Sequence, residues 1–377
     1  FQIMRFMFPL LVFGIFNVYA GDNTWALLIK IFFNIFIMLV FYYYVFYAYN
    51  FDIKLLTGYY MKAAFYISLF GIGQLLFQNI GLSSILDISW IFNKWSVTPG
   101  GWFGIRINSI FSEPSYFAVS ISPAFFIAVY NLVFNKTFFI SKIQCIIVIV
   151  SYLCTFSSLA YGGIFITLLL ILLNIGFVRY VIVFLPISIF AYFYLYNNVA
   201  EFRERVDGLS DLYGGEVTKG SEVHGSSFVL FNNFQVAKEN FIRNPLFGTG
   251  LGSHPIAYDR HSVARKFDIL DDFNSKDANS MALRLMSETG LFGLFLIFLF
   301  MIKFFVLRNK DNTNELNWVI SSACLTIILL QLYRMGNYTY NGFVFYLWLY
   351  YYNWQDAGNN LTVEASFKPA STVKDAS

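Results

Sequence analysis

Charge is what this chain has least of. Asp, Glu, Lys and Arg make up 12% of its 377 residues, about half the share of an ordinary soluble domain. Hydrophobic residues make up 58%, and the mean hydropathy is +0.59. So little polar material cannot cover a water-soluble globule, and the chain reads as a polytopic membrane protein. The net charge of +3 is small and scattered among membrane-flanking positions, which excludes a nucleic-acid surface. Cysteine is nearly absent. Cys145, Cys154 and Cys324 all lie in apolar runs without ligand spacing, so neither a disulfide framework nor a zinc site is indicated, and they read as packing residues. No charged region leads to a small-residue cleavage site, so no signal peptide is read; the chain begins at Phe1, and the natural N-terminus is expected further upstream.

What the chain has is long apolar runs. Roughly 20 apolar residues cross a bilayer as a helix, because lipid offers the backbone no other hydrogen-bond partners. That rule predicts about ten spans, at residues 3–20, 25–48, 59–80, 114–134, 139–156, 159–176, 178–197, 287–307, 317–334 and 338–354. The expected class is an all-α membrane protein. Its parts are about seven N-terminal spans within residues 1–197, a large loop over 198–286, about three spans within 287–354 and a disordered tail over 355–377. Basic residues gather on the cytoplasmic side of membranes. Strict alternation puts Arg5, Lys54, Lys62, Lys136, Lys142, Arg179, Lys303, Arg308 and Lys310 together, so that side is cytoplasmic. Both termini then fall inside. The loops 81–113 and 198–286 both face outside.

In the first loop, Trp90, Trp95 and Trp102 around Pro99-Gly100-Gly101 read as an interfacial segment. Arg106 and Glu113 precede Pro114, the start of a span. One reading makes them a snorkelling anchor and a carboxylate at a helix N-terminus. The other makes them an anion-binding Arg and a carboxylate near a reacting hydroxyl. Thr155 to Gly163 reads as a tight turn between packed helices.

In the large loop, residues 201–205 prolong the preceding helix and residues 208–225 read as a mobile connection. Residues 228–243 read as an amphipathic helix on the membrane surface, ended by Asn244-Pro245. Gly248, Gly250 and Gly252 follow. They cannot be a nucleotide fingerprint, which needs a preceding strand, but they can turn the backbone and offer its N–H groups to a ligand. His254, Arg260, His261, Arg265 and Lys266 stand against Asp259, Asp268, Asp271 and Asp272, the ordinary pattern of a solvated face. A loop of this length nevertheless suggests a purpose. Asp277 reads as an N-cap, followed by Asn279-Ser280. Arg284 and Glu288 then share one helical face where the chain enters the membrane. Arg334 is a further cation on the same side.

These residues carry a resemblance. Asn244-Pro245-Leu246-Phe247-Gly248-Thr249-Gly250-Leu251-Gly252, then Asn279-Ser280, then Gly290-Leu291-Phe292-Gly293, resembles the signature of the O-antigen polymerase and O-antigen ligase superfamily. The segment from Arg106 through Phe111-Ser112-Glu113-Pro114-Ser115-Tyr116-Phe117-Ala118 is similar to a second segment of its polysaccharide polymerases. The resemblance covers about residues 104–293. It implies a GT-C-like transferase of the bacterial inner membrane, working at the periplasmic face on undecaprenyl-pyrophosphate-linked sugars without cofactor or metal. Lipid-linked oligosaccharides and membrane lipids are the implied partners, with a chain-length regulator and a flippase as possible associates. A pyrophosphate leaving group calls for Arg forks, and Arg106, Arg284 and Arg260 are the candidates, with Arg334 beside them. Glu113 or His254 could accept the proton of the attacking hydroxyl.

The chain departs from the pattern in places. Ligases of the family carry His where this chain has Asn279, and Asn cannot act as a base, so polymerase is favoured over ligase. The Arg expected some fifteen residues before Pro245 is missing, as is the one that often follows Ser in the turn near Ser157-Ser158. Ten spans fall short of about twelve in the family, in line with an upstream N-terminus. The competing class is a transporter or flippase, which calls for midplane polar residues, broken helices and an inverted repeat.

Overall fold

The computed structural model describes residues 7–82, 87–91, 95–101, 103–214, 225–264, 274–309 and 311–367. Within them the chain is helical almost throughout. Helices α1 (Met7–Tyr19), α2 (Trp25–Ala48) and α3 (Ile53–Asn79) come first. A two-residue hairpin, β1 (Thr98–Pro99) with β2 (Ile105–Arg106), precedes α4 (Pro114–Val133) and α5 (Lys142–Leu153). Then come α6 (Ser158–Asn198), α7 (Ala200–Gly214), α8 (Gly225–Arg243) and α9 (His254–His261). Helices α10 (Met281–Lys303), α11 (Glu315–Arg334) and α12 (Phe343–Phe367) complete the chain. Five of these, α2, α3, α4, α10 and α11, are long and apolar enough to cross a membrane.

Side-chain caps start several of these helices, each satisfying backbone N–H groups left over at a first turn. Asp52 accepts from Leu55 N at 2.9 Å, Ser157 from Leu159 N at 3.3 Å and Ser280 from Leu283 N at 3.3 Å. Ser141 and Gln144 form a reciprocal capping box. The cap of α10 is therefore Ser280 rather than Asp277. Asp277 Oδ1 instead accepts from Asn279 N at 3.1 Å and shapes the turn before it.

Helices α4 and α11 pack together at the centre and are the most buried of the five. Pro123 lies inside α4 and cannot donate to Val119, whose carbonyl receives the Ser122 hydroxyl at 2.8 Å. One step along, the Tyr60 hydroxyl of α3 donates to Ser120 O at 2.9 Å and accepts from Ala124 N at 3.1 Å. A side chain wedged into the helix ladder thus locks α3 to α4 at the proline break. Outward, α2 shows Phe33, Ile37, Phe41 and Tyr44, a helical stripe of exposed apolar side chains suited to hydrocarbon.

The expected spans 159–176 and 178–197 form one helical run, α6. A straight helix from Tyr161 to Asn198 would span about 55 Å at 1.5 Å per residue. Yet the Tyr161 ring lies 6.3 Å from that of Phe202, so the run turns back on itself.

Three further expectations are corrected by packing. Helix α8 turns Phe228, Val229, Phe231 and Val236 into the protein, against α7, α9 and α10, instead of resting on a membrane surface. Trp95 is buried with its indole N–H on Ser109 O at 2.8 Å, whereas Trp90 is exposed; Trp102 lies outside the described residues. Helix α12 continues through Phe367 into the expected tail, because Asn317 of α11 bonds both Asn353 and Asp356 across the helix pair. Residues 368–377 and most of the connection 208–225 lie outside the described residues.

The bundle has two unlike ends. At one, Glu315 collects the Tyr130 hydroxyl at 2.6 Å, Lys136 at 2.8 Å and Arg308 at 3.2 Å, with Lys142 and Lys303 at neighbouring helix ends. The loops before α4 and α10 meet at the other.

Candidate functional site

Four side chains singled out in the sequence, Arg106, Glu113, Asn279 and Arg334, line one polar cavity of about 380 Å³ at the end away from the basic cluster. They come from the hairpin, the N-cap of α4, the turn before α10 and the last turn of α11. Ser115, Tyr116, Ser157, Ser158 and Asn274 complete its polar wall, and Leu159, Val229 and Met335 its apolar side.

The hairpin exists because Gly100, Gly101 and Gly104 take left-handed backbone. It docks on the turn after α5, where Ile107 N donates to Cys154 O at 3.2 Å and Arg106 Nε to Thr155 O at 3.2 Å. Below it, Gln74 of α3 exchanges two hydrogen bonds with the Ser109 backbone, at 2.8 and 3.0 Å. From the opposite side, Arg334 Nη1 donates to Ser158 Oγ at 3.3 Å. The segment Thr155–Ser158 therefore holds both arginines. From its sequence this segment is a packing turn without an Arg; the cation beside Ser158 arrives from α11. The polar side chains at a helix N-cap, Ser157 with Ser158, were the signal that could have marked this wall.

Helices α4 and α6 both begin at the cavity, and the turn leading into α10 borders it. Their N-terminal N–H groups and dipoles favour negative charge there. Glu113 supplies a carboxylate whose Oε2 accepts from Ser115 Oγ at 2.9 Å. Asn279 and Ala278 are both left-handed, with φ 53° and 59°, a conformation that costs a non-glycine residue of order 1–3 kcal/mol. The turn is clamped by Gly336. A Cβ on that glycine would fall 1.5 Å from Asp277 O. Two cations, two helix N-termini, one carboxylate and two amides, Asn274 and Asn279, thus face a shared space. Such a set can hold a multiply charged anion and take or orient a hydroxyl proton.

The remaining predicted residues lie elsewhere. Arg284 is buried and bonds Glu288 Oε1 at 2.8 Å and Gly336 O at 3.0 Å, with its guanidinium 4.3 Å from the Tyr338 ring. The Tyr338 hydroxyl donates to Glu288 Oε2 at 2.9 Å. His254 is fully buried, and its Nε2 meets Asn233 Oδ1 at 3.1 Å. Because Asn233 Nδ2 donates to Val229 O, the oxygen faces the ring, and Nε2 carries the proton. Burial, then the nearby Arg284, pulls its pKa down to about 3, so the imidazole is neutral. Arg260 pairs with Asp22 at 3.1 Å on the surface. Arg265, Lys266, Asp268, Asp271 and Asp272 lie outside the described residues.

Gly250 packs on Asn17 of α1 and Asn23 of the α1–α2 turn, and Gly252 on the backbone of Leu27. Gly248 and Gly290 lock into each other. Gly290 takes φ 60° inside α10 and breaks its ladder, so Leu291 N donates to Pro245 O at 2.9 Å and Phe292 N to Leu246 O at 3.0 Å. In return, Thr249 N and Gly250 N donate to the carbonyls of Ser287 and Glu288, at 3.2 and 2.7 Å. Asn240 Nδ2 secures the join on Thr249 Oγ1 and Ser287 O, both at 2.9 Å. The two glycine motifs are thus each other's hydrogen-bond partners.

Comparison with protein-family models and with curated proteins returned no match.

Proposed function

We propose that this protein is a membrane glycosyltransferase that polymerises undecaprenyl-pyrophosphate-linked oligosaccharide repeat units at the outer face of a bacterial inner membrane. The observation that carries the reading is the convergence of Arg106, Glu113, Asn279 and Arg334, from four distant places in the chain, on one polar cavity. The family resemblance rests on the first three. Its segments around Arg106 and Asn279, more than 170 residues apart in the chain, meet in space.

In this reading Arg106 and Arg334 grip the pyrophosphate beside the N-termini of α4 and α6. The acceptor sugar hydroxyl attacks the anomeric carbon of the donor, the bond from that carbon to the pyrophosphate oxygen breaks, and the electron pair leaves on the lipid pyrophosphate. Glu113 takes the hydroxyl proton. Asn279 orients the sugar through its amide. Stabilising the leaving charge with preorganised cations and amides is commonly the largest part of such catalysis.

The membrane arrangement belongs to the same proposal. The reversal within α6 turns one helical run into two passes, and with α1, α5 and the apolar first half of α12 beside the five long helices this favours about ten spans. The Glu315 cluster marks the basic, cytoplasmic end; the cavity lies at the other, periplasmic end.

Deleting the gene should collapse the strain's surface glycan to a single repeat on a gel, and Glu113→Gln should do the same at normal protein level. A full ladder of chain lengths in either strain contradicts polymerisation. Long glycan accumulating on undecaprenyl in the deletion strain would instead point to a ligase.

A further inference from the structure

A second cavity, of about 300 Å³, adjoins the polar one and shares Ser158 and Arg334 with it. Its character is different. Tyr161 and Phe165 of α6, Phe202 of α7, Leu230 of α8 and Tyr333 of α11 make a wall of rings and aliphatic carbon. Phe165 and Tyr333, about half exposed, stand on the outer surface of the bundle, where lipid chains lie. Along α6, Phe165 is about 10 Å deeper than Ser158, at 1.5 Å per residue. Ser158 and Arg334 thus stand between the cationic cavity and a chamber that reaches the surface facing hydrocarbon.

A polar chamber beside an apolar one, with Ser158 and Arg334 lining both, fits one molecule with an anionic head and an apolar tail. Arg106, Arg334 and two helix N-termini match two phosphates better than the single phosphodiester of a glycerophospholipid. We infer that the chamber between α6, α7, α8 and α11 receives the isoprenoid chain of a polyprenyl pyrophosphate, with Arg334 at the junction of head and tail. This rests on the transferase reading above and adds where the carrier lipid enters and which residues select it.

The test uses the full-length protein in nanodiscs of phosphatidylglycerol and phosphatidylethanolamine. The probe is a polyprenyl pyrophosphate with a photoreactive diazirine in its first isoprene units. Crosslinks should map to peptides bearing Tyr161–Phe165 and Phe202–Val206, compete with unlabelled undecaprenyl pyrophosphate, and persist when phosphatidylglycerol is raised. Leu230→Trp, which fills the chamber, should cut labelling about tenfold, a modest change in binding free energy. In that variant, inorganic pyrophosphate should still protect Arg106 and Arg334 from an arginine-modifying dicarbonyl reagent, which also shows that the fold survives. Labelling confined to the apolar cleft between α2 and α10, around Leu39 and Phe300, overturns the inference while pyrophosphate protection leaves the cavity reading standing. Equal competition by phosphatidylglycerol overturns it too. Failure of pyrophosphate to protect either arginine in the unaltered protein overturns both readings together.

Discussion

Arg106 and Arg284 both carry a guanidinium near the same end of the bundle, and their surroundings separate them. Arg284 is sealed in with Glu288, Gly336 and Tyr338, so its charge is spent on holding α10 to the chain after α11. Removing one partner of a buried ion pair leaves the other uncompensated, at a cost of about 3–5 kcal/mol. Arg284→Ala should therefore lower the thermal midpoint and the protein level sharply. Arg106→Ala should leave both unchanged while abolishing polymer; thermal unfolding in detergent beside glycan gels checks the contrast. His254 gives a pH signature. Its pKa is about 6.5 in the unfolded chain and about 3 when folded, so the unfolded state binds more protons between those values. Stability from this group is present above pH 6.5 and is lost as pH falls towards 3, at up to about 1.4 kcal/mol per pH unit. His261, also held below its usual range by burial, acts in the same direction, so the comparison is made in a His261→Asn background. There, His254→Gln, which keeps a donor for Asn233, should flatten the fall in thermal midpoint between pH 6.5 and 5. An unchanged slope would contradict the buried neutral ring.

Elements explain what the glycine motifs do. Gly248, Gly250 and Gly252 read from sequence as a turn able to offer N–H groups to a ligand. In the fold, the N–H groups of Thr249, Gly250, Leu291 and Phe292 go to the partner motif. Gly290→Ala would force a left-handed alanine whose Cβ meets Pro245 O at 2.6 Å. The left-handed backbone alone costs of order 1–3 kcal/mol, and the contact adds to it. The expected outcome is faster proteolysis of residues 244–261 and a lower midpoint, read by limited digestion; wild-type resistance would contradict the clasp. That clasp is not legible in the sequence, although other parts of the fold are. Hydropathy located the long spans, because a membrane helix needs apolar length, and the segment Arg106–Glu113 was marked by charges beside a proline at a helix start. Other features were hidden for physical reasons. A polar loop suggests exposure, yet His254 is buried because α8 and α10 close over the short helix it begins. The polar residues after Trp354 suggest a tail, yet α12 continues where Asn317 bonds Asn353 and Asp356. Ser157 and Ser158 read as small residues between packed helices, and only the fold shows that both arginines lean on their turn.

For the whole molecule, the two ends divide the work. The end around Glu315 ties α4 and α11 together with Lys136, Arg308 and Tyr130, while the opposite end leaves a polar cavity open between the same two helices. A rigid central pair, locked to α3 at Pro123, thus fixes Glu113 and Arg334 at its far end. Cavities built on packed helices hold their groups more closely than loops can, as the proposed displacement would need. The most direct test of the central claim is reconstitution of the purified protein in vesicles with a lipid-linked repeat unit of its own host on the outer leaflet. Mass spectrometry should show repeat units joined on single lipids, with one undecaprenyl pyrophosphate released for each bond formed and none formed by Glu113→Gln. Repeat units that stay unjoined, or that only change leaflet, would contradict the account.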